Sequence, residues 1–290
     1  FFDGGGRFHY RPFIYRTEQT DPLDAAYRED KDTVYPLEFF FRGHRYTICG
    51  IISSDRHLIG RSRPPRFYPL GTDALGRDVL ARMLAGTRTS LLVVVLGILL
   101  YAAIGLAVGV PAGWTGGWLD SALMRFSDFV LALPALYLVL AVRSLLPMQI
   151  PFLQALFWIV AAIAAVAWPP MARGIRGLIL QTRDSAHVEA ARSLGGTPAH
   201  VFLRHVFPAL IPFIFAQMVV AAPVFLLGEV VLSFLSVGFQ DSGESWGAML
   251  QGLKDARVIT DYRWNLAPLC MVFLTLLGLN ALGSLLSGGQ

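Results

Sequence analysis

The sequence has few charged residues, almost no lysine and only two cysteines. Charged residues make up 15% of the chain, against about 25% in an average soluble domain, so the composition argues against an ordinary soluble protein. The only lysines are Lys31 and Lys254, and the arginines form no long stripe, which excludes the basic surface typical of nucleic-acid binding. Cys49 and Cys270 lie far apart in the chain, which excludes a disulfide framework and a cysteine-based metal site.

Sequence motifs of common enzymes are also missing. No lysine lies in a glycine-rich phosphate loop, no serine lies in a nucleophile elbow, and there is no HExxH pattern. His187, His200 and His205 fall close together, but their spacing forms no closed metal set, and we interpret them as surface residues. We therefore expect no cofactor, no metal and no catalytic residue in this chain.

What the sequence does contain is long apolar runs, since 54% of its residues are hydrophobic. A bilayer crossing needs about 20 consecutive apolar residues. We predict an all-α polytopic membrane protein in which residues 71–290 form the membrane domain. Five transmembrane helices are expected, at about 91–113, 119–143, 151–172, 206–237 and 264–286.

Three charged residues fall inside the apolar runs 121–142 and 206–238. Arg125 and Asp128 are three residues apart on one face of the second helix, where they could pair with each other. Glu229 is the only charge of the fourth span. A carboxyl group at membrane depth usually faces a polar cavity or a partner, and we predict a structural or gating contact on a translocation path, with proton coupling as the alternative.

The first span carries glycines at multiples of four residues: Gly97, Gly105, Gly109 and Gly113, with Tyr101 in the gap. Small residues at this spacing lie on nearly one helical face and let membrane helices approach closely. We interpret this face as a helix-packing surface; the alternative is that it lines a pore.

Positive charge in short loops predicts the orientation of the spans. Loop 173–205 has five arginines and two acidic residues, whereas loop 239–263 has more acidic than basic residues. We therefore place loop 173–205 in the cytoplasm and residues 1–70 outside, although Arg77, Arg82 and Arg88 disagree with this orientation. An outside start without an export signal suggests a sixth helix upstream of Phe1.

Residues 1–70 are expected to form a small, partly β, extracytoplasmic region. Aromatic and branched residues dominate 37–42 and 45–51, on either side of Gly43 and His44. This pattern is typical of a β-hairpin with its turn at those two residues.

Loop 173–205 itself has the pattern of two short helices. Asp184 or Ser185 can cap the first helix, and a double glycine, Gly195 with its successor, can end it in a left-handed conformation. Thr197 can cap the second helix, with Pro198 at its first position. Such a stiff turn between two spans indicates either a binding surface for another protein or a well-capped loop without a partner.

The same loop resembles the EAA loop of binding-protein-dependent ABC import permeases. That pattern is Glu-Ala-Ala, three residues, Gly, nine residues and Ile-x-Leu-Pro. The chain matches it at Glu189, Ala190, Ala191, Gly195 and Pro208. His and Phe replace the pattern's Ile and Leu at positions 205 and 207. The resemblance implies that the loop inserts into a cleft of an ATP-binding subunit and carries its motion to the transport path.

Further segments resemble the second permease subunit of the dipeptide and oligopeptide importers. Before the first span the chain has a GTD-x-x-GRD motif, formed by Gly71, Thr72, Asp73, Gly76, Arg77 and Asp78. Segments 117–134, 232–235 and 245–250 also fit this branch. The resemblance implies a bacterial inner-membrane permease that imports peptides by alternating access.

The resemblance also implies partners. These are two ATP-binding subunits that hydrolyse ATP, a homologous permease subunit in a heterodimer, an extracytoplasmic substrate-binding protein and membrane lipid. Two alternatives remain from the residues themselves. One is a secondary transporter that uses Glu229 for ion coupling, and the other is a membrane scaffold that does not transport.

Overall fold

The computed structural model describes residues 10, 12–21, 26–48, 52–60, 67–134, 137, 140–141, 151–236, 238–239 and 244–287. The chain divides into two compact units, Phe1–Thr72 and Asp73–Gln290. The first unit contains strands and the second contains helices.

The described residues of the first unit form two antiparallel strand pairs. Strand β1 (Phe13–Asp21) pairs with β2 (Ala26–Pro36), and β3 (Glu38–Ile48) pairs with β4 (Ile52–Gly60). The small β region is thus confirmed.

The predicted hairpin turn at Gly43 and His44 is wrong, because β3 runs through both residues. The pairing with β4 is instead irregular there, between Arg42 and Tyr46. A glycine inside a strand often marks such a bulge rather than a turn.

The second unit is a helical bundle. Its long helices are α1 (Val79–Thr115), α2 (Gly117–Ala132), α3 (Phe152–Ala167) and α4 (Pro169–Arg183). Two short helices follow, α5 (Ala186–Ser193) and α6 (Pro198–Val201), and a π-helical turn over Phe202–Val206 leads into α7 (Phe207–Phe234). The chain ends with α8 (Trp246–Leu250), α9 (Ala256–Asp261) and α10 (Ala267–Ser287).

Helix α1 starts about three turns earlier than its apolar run predicted. The carboxylate of Asp78 accepts a hydrogen bond from the backbone N–H of Ala81 and thereby caps the helix. Val79 and Met83 in the first turns are buried, so packing as well as capping extends the helix beyond the apolar run.

The second predicted span, 119–143, is not one continuous helix. Helix α2 ends at Ala132, and Leu133 is extended. Pro134 explains this end, because a proline disfavours helical conformation in the residue before it and lacks a backbone N–H. Most of residues 135–150 lie outside the described part of the chain.

The third predicted span, 151–172, is broken. Helices α3 and α4 meet at Trp168 with a bend of 49°, where Pro169 and Pro170 begin α4. Among the described residues, three helical segments are long and apolar enough to cross a membrane, or four if α3 and α4 count as one bent span. The three are Val79–Thr115, Pro198–Phe234 and Arg263–Leu285.

The glycine face of α1 packs against neighbouring helices, as predicted. A Cβ on Gly97 would lie 2.2 Å from Phe225 of α7, and one on Gly105 would lie 2.2 Å from Met171 of α4. Gly109 and Gly113 also face α4, so α1 and α4 are in close backbone contact over three turns.

Candidate functional site

The loop predicted to carry the function is a compact elbow, defined here as residues 186–205. Helix α5 ends at Ser193 with Leu194 as its C-cap, and Gly195 follows with φ of +80°. The backbone N–H of Gly196 donates to the carbonyl oxygen of Ala191 at 3.1 Å and closes the turn. The left-handed stop expected at the double glycine is therefore present at Gly195.

The second arm of the elbow starts as its sequence indicated. The hydroxyl of Thr197 accepts a hydrogen bond from the backbone N–H of His200 at 3.3 Å, and Pro198 occupies the first turn of α6. Ser185 stands at the N-cap position of α5, but its hydroxyl donates to the carbonyl oxygen of Thr182 and does not cap the helix.

One side of the elbow packs through buried apolar side chains, and the other side is exposed. The side chains of Val188, Val201 and Val206 are fully buried. Glu189 and Ala190 are exposed on α5, and Leu194 at the turn is 88% exposed. Ala191 is half-buried, and Gly195 and Pro208 are exposed. The elbow thus has a fixed core and presents a carboxylate beside small and apolar side chains.

The buried acid of the fourth predicted span lies in a cage of serines. Glu229 on α7 is fully buried. The hydroxyls of Ser90 on α1 and Ser233 on α7 donate to its carboxyl oxygens at 3.0 and 2.9 Å. Ser245, just before α8, is a third hydrogen-bonding neighbour. Glu229 therefore connects three segments of the bundle.

The serines were not predicted as partners of Glu229. Only Ser233 lies within one helical turn of it in sequence, whereas Ser90 is 139 residues away. A sequence signal was nevertheless present, because Ser233 and Ser245 lie in two of the segments, 232–235 and 245–250, that resemble the peptide-permease branch.

The expected pair of Arg125 and Asp128 does not form. Asp128 instead forms an ion pair with Arg173 of α4, and Arg125 is exposed. A neighbouring ion pair joins Arg176 of α4 to Asp120 of α2. Both acidic residues thus face another helix, where a tertiary contact replaces the local one.

The GTD-x-x-GRD motif forms a tight turn that starts α1. The carboxylate of Asp73 accepts hydrogen bonds from the backbone N–H groups of Leu75 and Arg77, at 3.0 and 2.9 Å. Gly71 and Gly76 have φ of +70° and +73°. Thr72 lies between Gly71 and Asp73, and Asp78 is the N-cap of α1.

Two arginines complete this turn. Arg77 and Arg82 both donate to Oδ2 of Asp73, at 2.8 and 2.6 Å, and Arg82 also reaches Glu244 at 2.9 Å. Both arginines, which disagreed with the predicted orientation, therefore have acidic partners that balance their charge.

No group of three or more His, Cys, Asp or Glu residues in the described part of the chain could hold a metal ion. The rings of His187 and His200 lie 6.3 and 6.4 Å from that of His205, measured between centroids. The second unit thus has three notable features: the exposed elbow, the serine cage around Glu229 and the capped turn before α1.

Comparison with known proteins decides the family. Residues 105–288 match the family described as the binding-protein-dependent transport system inner membrane component. The chain belongs to this family. Members are permeases that work with ATP-binding and substrate-binding subunits, so the chain is a permease subunit of an ABC importer. This function is favoured over the ion-coupled transporter and the scaffold.

Individual relatives agree with the family. The chain is 32% identical over 232 residues to the oligopeptide transport system permease protein OppC of Bacillus subtilis (strain 168), covering 79% of this chain and 73% of that protein. It is 34% identical over 213 residues to the glutathione transport system permease protein GsiD of Shigella dysenteriae serotype 1 (strain Sd197), covering 73% and 68%.

Solved structures support the fold. One is the crystal structure of an amino acid ABC transporter with histidines, at a TM-score of 0.53 and 20% identity, covering 73% of this chain and 95% of that one. Another is an inward facing conformation of the MetNI methionine ABC transporter, at a TM-score of 0.52 and 15% identity, covering 71% and 97%.

Proposed function

We propose that the chain imports di- or oligopeptides across a bacterial inner membrane. It forms the path together with a homologous permease subunit, and an extracytoplasmic protein delivers the peptide. Two relatives support this substrate class, since one carries the name of an oligopeptide permease and the other that of a permease for glutathione, itself a peptide. ATP is hydrolysed on two separate subunits.

The exposed elbow is the observation that carries the proposed coupling mechanism. It lies on the cytoplasmic side and docks into an ATP-binding subunit through Glu189, Ala190, Ala191, Gly195 and Pro208. Its geometry suits this role, because a buried valine core fixes the two arms while the carboxylate of Glu189 remains accessible. A stiff element transmits displacement better than a flexible loop.

Glu229 acts as a gating contact in this mechanism. It holds Ser245, at the start of α8, against α1 and α7. Arg125 and Asp128 lie at the surface of α2, where Asp128 joins α2 to α4. The GTD-x-x-GRD turn fixes the outer end of α1 through Asp73 and Arg82.

Substitution of Glu189 by Arg tests the docking role. We expect Glu189→Arg to insert normally and to lose peptide uptake, because the exposed carboxylate becomes a cation at the docking surface. Asp261→Arg is the control: it makes the same change of charge at an exposed residue that lies outside the elbow. Normal uptake of a labelled peptide by Glu189→Arg in proteoliposomes would contradict the assignment.

The energy source is tested with the same vesicles. Uptake should require ATP and should survive a proton uncoupler. The opposite result would contradict the proposed use of ATP-binding subunits.

A further inference from the structure

Trp114 lies on the last turn of α1, where this helix meets the elbow. The guanidinium carbon Cζ of Arg192, on α5, is 5.5 Å from the centroid of the Trp114 ring. The ring of Phe202 meets Trp114 edge-on, with the centroids 5.2 Å apart. One indole therefore contacts both arms of the elbow, α5 before the glycine turn and the π-helical turn after it.

A second contact fixes the same end of α1. The side chain of Arg183 donates a hydrogen bond of 3.2 Å to the carbonyl oxygen of Gly113. A Cβ on Gly113 would lie 2.8 Å from Cβ of Ile179, so α4 rests directly on the residue before Trp114. The last turn of α1 is thus enclosed by the segments that lead into and out of the elbow.

Helix α1 also contributes to the serine cage, through a residue in its first half. Ser90, whose hydroxyl binds Glu229, and Trp114 belong to the same helix. At 1.5 Å per residue they are separated by about 36 Å along it. A continuous helix over this distance can move both contacts together.

We propose that Trp114 is a positioning residue that transmits movement of the elbow to α1. This role rests on the proposed function, because it requires an elbow that ATP-binding subunits move. What it adds is the residue of the helical bundle that receives the movement. The indole suits this role since it is large and rigid and its ring faces a cation on one arm and an aromatic ring on the other. Phe202 begins a π-helical turn, a feature frequent at functional sites.

The test uses the complete transporter in proteoliposomes, with peptide uptake and ATP hydrolysis measured on the same vesicles. We expect Trp114→Ala to keep its ATP-binding subunits while peptide uptake per ATP hydrolysed falls by about fivefold or more. Trp114→Phe, which keeps an aromatic ring between the two arms, should retain most of the coupling.

Two further variants sharpen the test. Trp118→Ala removes an indole that is 81% exposed four residues later and should leave coupling unchanged. Arg192→Ala should lower coupling, and the double variant with Trp114→Ala should be no worse than Trp114→Ala alone if both residues act through one contact. Because Arg192 is exposed, its variant also provides the test should Trp114→Ala fail to insert.

Normal uptake per ATP in Trp114→Ala, or in Arg192→Ala if the first does not insert, would overturn the proposal. Loss of the ATP-binding subunits from either variant would also overturn it, because the contact would then serve docking. Failure of the proposed function is distinguishable, since the unmodified transporter would then take up no peptide or retain no ATP-binding subunit.

Discussion

The hydroxyl of Ser90 donates a 3.0 Å hydrogen bond to Oε2 of Glu229, and its oxygen accepts one of 3.2 Å from the backbone N–H of Trp246. Ser233 repeats this arrangement, donating to Oε1 of Glu229 and accepting from the backbone N–H of Phe239 at 3.4 Å. A hydroxyl has a single proton. Each serine therefore gives this proton to the carboxyl group of Glu229 and accepts a hydrogen bond from a backbone N–H. The two oxygens of Glu229 thereby act as acceptors that hold distant segments together.

Glu229→Gln tests this acceptor role with almost no change in shape. The amide nitrogen of glutamine would face a hydroxyl that needs an acceptor, which leaves a buried group unsatisfied at a cost of about 1–3 kcal/mol. We expect a lower unfolding temperature and faster amide hydrogen exchange in residues 245–250. Glu189→Gln, at an exposed position on the elbow, should alter neither. Unchanged exchange in Glu229→Gln would show that the oxygens are not needed as acceptors.

The sequence predicted those features that depend on neighbouring residues. The elbow follows from Gly195, Thr197 and Pro198, each of which sets its own backbone geometry, and bilayer-length apolar runs locate the long helices. The end of α2 was missed because apolar character alone extended the span, whereas Pro134 and its effect on Leu133 decide where the helix stops.

Contacts between distant segments could not be predicted in the same way. Arg173 is 45 residues from Asp128 and Ser90 is 139 residues from Glu229. Only the packing of α2 on α4 and of α1 on α7 brings these pairs together. Arg125 looked like a suitable partner for Asp128 by helical spacing. In the folded bundle Asp128 instead pairs with Arg173 on α4.

Gly195→Ala measures the free energy needed to place a side-chain-bearing residue in the left-handed turn of the elbow. Gly195 has φ of +80° and no atom within 4 Å of a Cβ placed on it, so the penalty is conformational and amounts to about 1–2 kcal/mol. Gly195→Val should cost more, and both should reduce peptide uptake by loosening the elbow.

Gly177→Ala is the matched control for that turn. Gly177 also has open space around a Cβ but lies inside α4 without a positive φ, so alanine should be neutral or slightly stabilising there. Equal uptake and equal unfolding temperatures for the two alanine variants would contradict the role of Gly195.

Gly109→Ala tests the close approach of α1 and α4. A Cβ there would lie 2.6 Å from the carbonyl oxygen and 3.0 Å from the Cα of Ala172. Because these are backbone atoms, the helices must move apart to make room, which should lower the free energy of unfolding by about 1–3 kcal/mol. We expect a lower unfolding temperature in detergent, whereas Gly278→Ala on α10, which has open space, should change little. If Gly109 lined a pore instead, Gly109→Ala would leave the unfolding temperature unchanged and would alter only peptide uptake.

The turn before α1 should give the protein a specific acid sensitivity. Burial by itself raises the pKa of Asp73, but hydrogen bonds from Arg77 and the charges of Arg77 and Arg82 outweigh it and lower the pKa below its usual value. A lowered pKa means that the folded state favours the carboxylate. This stabilisation is complete above the unfolded pKa of about 3.9 and is lost as the pH falls through the lower folded pKa.

Asp73→Asn should therefore lower the unfolding temperature at pH 7, and its difference from the unmodified protein should shrink as the pH falls below about 4. Asp78→Asn is the control, because it removes an acid from the same turn but keeps an N-cap acceptor. Thermal unfolding of the purified permease between pH 7 and pH 3 measures both differences. A difference for Asp73→Asn that stays constant over this range would mean that the carboxylate charge does not stabilise the turn.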